Sequence, residues 1–305
     1  MKISVSKVVI TFILIFTFSC QKGTEYDFER TILKVNNQQF EVLTAWKIFE
    51  DYIKNRSDYN SNLFVKIKNE FNSCAEFSSL IDAIKQEIEP DNELEKEIEI
   101  MKNLDFVSIV DTVYQKVTKE LPGPDTKILF IPANPAYRNI YRQYGVGLHA
   151  FSPGTGRIIV SLDPTFENWQ HMLPYTLAHE YHHSVWTSRN FETADLTPLE
   201  YIILEGKADS FADEIYPITD HPFINKIEKI VEKRVWNLIK PEMNERNTNI
   251  NDKIFYGAKD IPYGSVYAIG FNIIKSFKAN NPEITHTELI DMSPQEILYL
   301  SKYDD

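Results

Sequence analysis

The segment LAHEYHHSVW, residues 177–186, contains three of the seven histidines of the chain. Apolar residues around it recur at nearly helical spacing, which predicts a helix. On a helix His179 and His183, four positions apart, point the same way from adjacent turns. Two imidazoles placed in this way chelate one zinc ion, and Glu180 then lies beside the metal as a general base rather than as a ligand. The alternative interpretation is a polar patch without a function.

The other two histidines of this region are not expected to bind the metal. His182 points about 60° away from His179 around the helix axis, which favours a supporting position behind a ligand or a surface position. His171 lies about two turns before His179, and we expect it to be exposed or to cap the helix.

A catalytic zinc site usually has three protein ligands, so a third is needed downstream. Glu205 follows His183 by 22 positions, and the apolar run YIIL before it predicts that its carboxylate is buried on the next helix. A buried carboxylate needs a partner, and a metal ion is one. Asp209 lies four residues further on the same face, where it can accept the second ring N–H of a histidine ligand. The alternative for both acids is a solvated helix face, which is our interpretation of the acids nearby: Glu192, Asp195, Glu200, Asp213 and Glu214.

The elements around these residues predict an α+β fold that is mostly helical. Strands are expected at 127–132, 145–153 and 156–164, the last two joined by a hairpin turn in SPGTG, which favours a small antiparallel sheet. Helices are expected at 166–188, 197–215, 221–240 and 264–279. Before them, the pattern from about Val42 to Leu121 is helical and ends at PGPD. We therefore divide the body into an N-terminal helical region, 30–122, and a second domain, 123–305.

Composition and charge restrict the function class. The chain has 305 residues, 43% of them hydrophobic and 25% charged, which is typical of a globular protein. Its formal net charge of −12 argues against nucleic acid as a partner.

The first residues resemble an export signal with a lipoprotein processing site. Lys2 and Lys7 precede an apolar stretch from Val8 to Phe18, which is short for a membrane-spanning helix. Ser19-Cys20 then resembles the lipobox of bacterial lipoproteins, in which the cysteine becomes the lipidated N-terminus. We expect a signal peptide at 1–19, a tether at 20–29 and a lipid-anchored protein of the bacterial cell envelope. The alternative is a plain secretory signal.

The only other cysteine is Cys74. It cannot form an intrachain disulfide once Cys20 is lipidated, and a buried, inert thiol is expected there.

Together, HExxH at 179–183 and EGKAD at 205–209 resemble the gluzincin arrangement of zinc metallopeptidases. The segments LPYTLAHEYHHSVW and LEYIILEGKADSFADEIY, followed by GSVYAIGF at 264–271, are similar to a family of predicted zinc-dependent proteases called DUF2268. The similarity covers roughly 125–290 and implies a zincin-like metallopeptidase core. It also implies that an edge strand before the motif helix, GVGLHAF or GRIIVSL, pairs with extended substrate.

The resemblance also implies residue roles. The zinc-ligand positions fall on His179, His183 and Glu205, the base falls on Glu180, and the supporting aspartate falls on Asp209.

Peptide hydrolysis also needs a donor for the oxyanion. Tyr267 is the first candidate because it lies in GSVYAIGF, and Tyr263 and His221 are alternatives. Tyr267 is equally consistent with a core residue, because Tyr267, Phe271 and Ile274 have helical spacing.

These observations lead to one principal hypothesis and two rivals. The principal one is a lipid-anchored zinc metallopeptidase that cleaves peptide or protein substrates with a zinc-activated water and Glu180 as the base. The rivals are a non-catalytic envelope lipoprotein with a structural or vestigial metal site and a metal-dependent cell-wall amidase. A purely structural site would not need Glu180 and would more often be completed by cysteine or a fourth histidine.

Overall fold

The computed structural model describes residues 28–55, 63–71, 76–246 and 248–304. The predictions for the signal peptide, Cys20 and Cys74 lie outside the described residues. The described chain contains one five-stranded sheet, with the spatial order β1-β2-β3-β5-β4. The strands are β1 (Glu29–Val35), β2 (Gln38–Thr44), β3 (Thr126–Pro132), β4 (Leu148–Gly154) and β5 (Arg157–Leu162).

The helices follow the same chain order. The N-terminal part has α1 (Trp46–Asn55), α2 (Val65–Phe71), a 3-10 segment (Ser78–Ile84), α3 (Asn92–Lys102) and α4 (Phe106–Glu120). The remainder has α5 (Pro135–Tyr144), α6 (Trp169–Asn190), α7 (Pro198–Ile215), α8 (Lys229–Ile239), α9 (Thr248–Tyr256), α10 (Ser265–Asn280), α11 (His286–Leu289) and α12 (Pro294–Ser301). The mostly helical α+β class predicted from the sequence is therefore confirmed.

The pairing within the sheet differs from the expected antiparallel arrangement. The outer pairs β1–β2 and β4–β5 are antiparallel, whereas β3 runs parallel to both β2 and β5. The parallel pairing arises because helices α1–α4 connect β2 to β3, and a long helical crossover returns the chain in the same direction. The hairpin predicted between 145–153 and 156–164 is confirmed as β4–β5.

The N-terminal helical region begins with a β-hairpin that the sequence prediction missed. Strands β1 and β2 are joined at Asn36-Asn37, which have φ values of 45° and 71°. Two-residue hairpin turns with positive φ at both central residues match the right-handed twist of the strands. Asparagine adopts positive φ more readily than most other residues. After this hairpin the region is helical, as predicted.

The two parts of the chain share one hydrophobic core. Phe40 of β2, Tyr114 of α4 and Tyr181 of α6 are buried in ring contact with one another. The Tyr114 hydroxyl donates to the carbonyl oxygen of Leu177 at 3.2 Å. The N-terminal helices and the sheet therefore fix the position of α6, the helix that carries the histidine cluster.

Helix α8 begins later than the predicted 221–240. Pro222 lacks a backbone N–H, and His221 Nδ1 accepts hydrogen bonds from the backbone of Phe223 and Ile224, which holds this segment as turns. The other helices predicted after residue 165 are present with ends shifted by three residues or fewer. No helix among the described residues is both long enough and apolar enough to span a membrane.

Helices α7 and α10 touch backbone to backbone. A Cβ atom built on Gly270 would lie 2.2 Å from the carbonyl oxygen of Ile202 and 2.8 Å from the nitrogen of Gly206. A side chain at either glycine would force the helices apart. This contact sets the distance between Glu205, next to Gly206, and Tyr267, one turn before Gly270.

Candidate metal and catalytic site

His179, His183 and Glu205 come together between α6 and α7. The two Nε2 atoms lie 2.9 Å apart, and Glu205 Oε2 lies 3.3 Å from each of them. They form the one group of histidine, cysteine and acidic side chains in the described part of the chain whose donor atoms converge as metal ligands do. The i, i+4 spacing on α6 and the apolar run before Glu205 had predicted this cluster.

These separations fit a tetrahedral zinc ion. Zinc–nitrogen and zinc–oxygen distances of about 2.0–2.2 Å imply that two ligand atoms of a tetrahedron lie about 3.3 Å apart. The chemistry of the donors agrees as well, because two imidazoles and one carboxylate are a ligand set of catalytic zinc sites.

Asp209 supports the first ligand, as its position four residues after Glu205 predicted. Its Oδ1 accepts a hydrogen bond from His179 Nδ1 at 2.8 Å, which leaves Nε2 unprotonated and directed at the cluster. The hydroxyl of Tyr175 donates to the same oxygen at 2.9 Å. Tyr175 was not predicted from the sequence. Its position one helical turn before His179 indicates that it lies on the same face of α6.

Glu180 lies beside the cluster without joining it. The side chain is buried and lines the same cleft as the three ligands. Burial raises the pKa of the Glu180 carboxyl, while the neighbouring His179 and His183 act to lower it. For Glu205, burial alone would raise the pKa, but His183 and His179 lower it to about 2. The two glutamates thus have opposite tendencies: one stays ionised as a ligand, the other takes up a proton more readily.

The remaining predicted histidines are apart from the cluster. His182 is 1% exposed, so it does not lie at the surface, and its ring is 5.7 Å from that of Phe211 on α7. Burial lowers the pKa of His182 well below its usual value, so it stays neutral. His171 is exposed, as expected.

The three candidates for the oxyanion donor line the cleft that holds the cluster. Tyr267 on α10 is half-buried, its ring centre 6.4 Å from that of His179, and its hydroxyl makes no hydrogen bond within the described chain. Burial raises the pKa of Tyr267 well above its usual value, so it remains a donor. His221 is less suited, because burial lowers its pKa to about 4 and its Nδ1 is engaged with backbone amides. Tyr263 stacks on Tyr144 at 4.2 Å.

The cleft has a volume of about 430 Å³ and runs between β4, α6, α7 and α10. Strand β4 forms the edge of the sheet on this side. The arrangement therefore combines three candidate metal ligands, a buried carboxylate beside them and a strand edge in one depression.

Fold and site together place a histidine pair on one helix and a glutamate on the next as candidate ligands of one metal ion. The chain belongs to the family described as predicted Zn-dependent protease (DUF2268), whose model matches residues 106–299. This match contains every ligand and catalytic candidate named above.

Among solved structures, the chain is similar to an aminopeptidase N family protein from Idiomarina loihiensis, with 10% identity and a TM-score of 0.43. The similarity covers 90% of this chain but only 41% of that one. No curated protein matches the sequence.

Proposed function

We propose that this protein is a zinc-dependent metallopeptidase. The observation that carries the proposal is the convergence of His179, His183 and Glu205 donor atoms beside the buried Glu180. When bound, zinc supplies a Lewis acid that polarises a carbonyl group and acidifies water. A site with only a structural role gains nothing from a carboxylate that is near the ligands but is not one of them.

The residues of the chain divide the work of hydrolysis. Glu180 accepts the proton of the attacking water, whose oxygen joins the carbonyl carbon, and returns a proton to the nitrogen as the C–N bond breaks. The Tyr267 hydroxyl donates to the carbonyl oxygen as negative charge develops there. Asp209 keeps the His179 ring in the tautomer and orientation that a ligand needs. No covalent enzyme intermediate is required.

Strand β4 is suited to align an extended substrate. Asp163 N donates to Gly147 O at 2.8 Å, and in an antiparallel pair hydrogen-bonded and non-bonded residues alternate. By this alternation the backbone groups of Leu148 and Ala150 point away from β5, and both residues line the cleft. Such an edge supports binding of a peptide as an added strand. Of the two segments considered for this role, only the one in β4 lies at the edge.

We also propose that a lipid on Cys20 anchors the enzyme to a membrane of the bacterial envelope, so that its substrates are peptides or proteins there. The support is the sequence alone: a basic start, an apolar stretch and Ser19-Cys20. The acidic net charge of −12 supports a substrate other than nucleic acid.

Chelation and reconstitution test the proposed activity. Purified protein is treated with a chelator, assayed on a peptide library, and assayed again after one equivalent of zinc is added. We expect cleavage to vanish and to return with zinc. Cleavage of cell-wall muropeptides in place of linear peptides would favour the amidase alternative. Tight zinc binding without turnover of any substrate would favour the binding lipoprotein.

A further inference from the structure

The cleft is longer than the metal site and continues past it on both sides. Lining residues follow one face of α6 from Met172 to Thr187, with His179 and His183 between these ends. At 1.5 Å per residue this face is about 22 Å long. An extended peptide advances about 3.3 Å per residue, so about six residues fit along it. An exopeptidase needs a wall close to the scissile bond, whereas the lining on α6 continues for about two turns before His179 and one turn after His183.

The lining away from the metal site is apolar. Tyr144 and Tyr263 stack with ring centres 4.2 Å apart, and Phe223 lies 5.6 Å from each ring. Tyr201 meets Phe255 edge to face at 5.4 Å, and Tyr267 lies between Phe223 and Phe255, with ring centres 5.3 Å and 6.1 Å away. Aromatic walls of this kind gain most from bulky apolar side chains of a substrate.

Among the described residues, no lysine or arginine lines the cleft. A carboxypeptidase needs a cation for the terminal carboxylate, and a subsite for acidic side chains needs one too. Within the described part of the chain, and apart from the acids at the candidate metal site, the only lining carboxylate is Asp252, which is exposed. Away from the metal site, a glutamate or aspartate of the substrate would therefore lose hydration without a lysine or arginine in this lining to pair with it.

The rim of the cleft exposes large apolar side chains. Leu80 is 40% exposed, Ile140 42% and Tyr256 72%, and all three line the cleft. Ile140 lies on α5, the helix of Tyr144, while Tyr256 lies beside Phe255 on α9. Exposed apolar groups collected around one depression indicate a surface that becomes covered when a partner binds.

We propose that the site is an endopeptidase site for apolar, uncharged stretches of extended polypeptide, cut within the chain rather than at its ends. This inference rests on the proposed peptidase function. It adds to that function the position of the cut and the chemistry of the side chains on both sides of the cut.

Blocked peptides test the position of the cut. The zinc-loaded protein is assayed on an internally quenched decapeptide with an acetylated N-terminus, an amidated C-terminus and four central Leu, Phe or Val residues. We expect internal cleavage of this peptide and no release of p-nitroaniline from leucine p-nitroanilide. Activity only on peptides with a free terminus would overturn the endopeptidase assignment.

Charged peptides test the chemistry of the cleft. Replacement of either residue flanking the cut by glutamate is expected to lower kcat/KM at least about tenfold, because no lysine or arginine in the described lining can pair with the charge. Equal rates on the apolar and the glutamate-containing peptides would overturn the assignment of substrate class.

A charge introduced at the rim gives a matched test in the protein. Ile140→Lys is expected to raise the ratio of kcat/KM on the glutamate peptides to kcat/KM on the apolar peptide several-fold. The control is Ile230→Lys on α8, because Ile230 is 76% exposed and lies outside the cleft lining. A similar change in both variants, or in neither, would contradict the proposed lining. Absence of cleavage of every peptide by zinc-loaded protein is a different result: it would refute the peptidase function itself.

Discussion

Gly270→Ala tests whether the close contact between α7 and α10 positions Tyr267 relative to the candidate metal ligands. In Gly270→Ala the new Cβ would lie 2.2 Å from the carbonyl oxygen of Ile202, against at least 3.4 Å in ordinary contact. The blocking atoms are backbone, so the helices must separate by about 1 Å. Overpacking of this kind costs about 1–3 kcal/mol, and alanine regains up to about 1 kcal/mol of helix propensity. We expect a net loss of about 1 kcal/mol in the free energy of unfolding.

The same separation moves Tyr267 relative to the metal ligands. A displacement of about 1 Å in a catalytic group can cost on the order of a hundredfold in rate. Zinc content should stay near one per chain, because all three ligands lie on α6 and α7. The assay combines urea unfolding, zinc analysis and peptide cleavage on one preparation.

A control separates misplacement from instability. Ile274 is fully buried on the same helix, and Ile274→Ala leaves a cavity at a cost of about 2–5 kcal/mol without pushing the helices apart. We expect this variant to lose stability but to keep most of its activity under conditions where it is folded. Wild-type stability and wild-type cleavage rate in Gly270→Ala, or an equal loss of activity in both variants, would contradict this prediction.

Three further predictions concern other parts of the chain. His182→Ala should keep zinc and most of the activity, since the His182 ring packs on Phe211. Loss of zinc in His182→Ala together with retention of zinc in His183→Ala would mean that His179 and His183 are not the ligand pair. Cys20→Ala should abolish lipid labelling and release the protein to the soluble fraction, and unchanged membrane association would indicate another anchor. Arg30 holds the pKa of the buried Glu70 below its usual 4.5, so Glu70 stabilises the fold above about pH 4.5 and loses this effect in acid. The gap in unfolding free energy between wild type and Glu70→Gln should therefore narrow as the pH falls, and a constant gap would contradict the charge assignment.

The convergence of the candidate ligands was predictable from sequence because most of its geometry is local. His179 and His183 lie one turn apart on a single helix, and Asp209 follows Glu205 by one turn, so helical spacing alone places them. The hydrophobic run before Glu205 also predicted that the Glu205 side chain is buried. Only the packing of α6 on α7 had to be supplied by the structure.

The missed features depend on contacts between distant segments or on weak local patterns. Strand β1 is mostly exposed, so its hydrophobic alternation is poor. Without a recognisable strand before it, the pair Asn36-Asn37 in the polar run NNQQ was not interpreted as a hairpin turn. Parallel pairing of β3 with β2 depends on where the intervening helices return the chain. The contact of Gly206 with Gly270 joins residues 64 positions apart, and the cleft walls come from α5, α9 and α10 together.

The most direct test of the central claim measures zinc content and peptide cleavage on the same preparations of wild type, Glu180→Gln and Glu205→Gln. Glu180→Gln keeps size and shape, so we expect about one zinc per chain and a rate lower by about a hundred- to ten-thousand-fold. Glu205→Gln weakens a ligand, so metal affinity and rate should fall together. Wild-type cleavage by Glu180→Gln, or full zinc affinity in Glu205→Gln, would contradict the roles assigned to these two carboxylates.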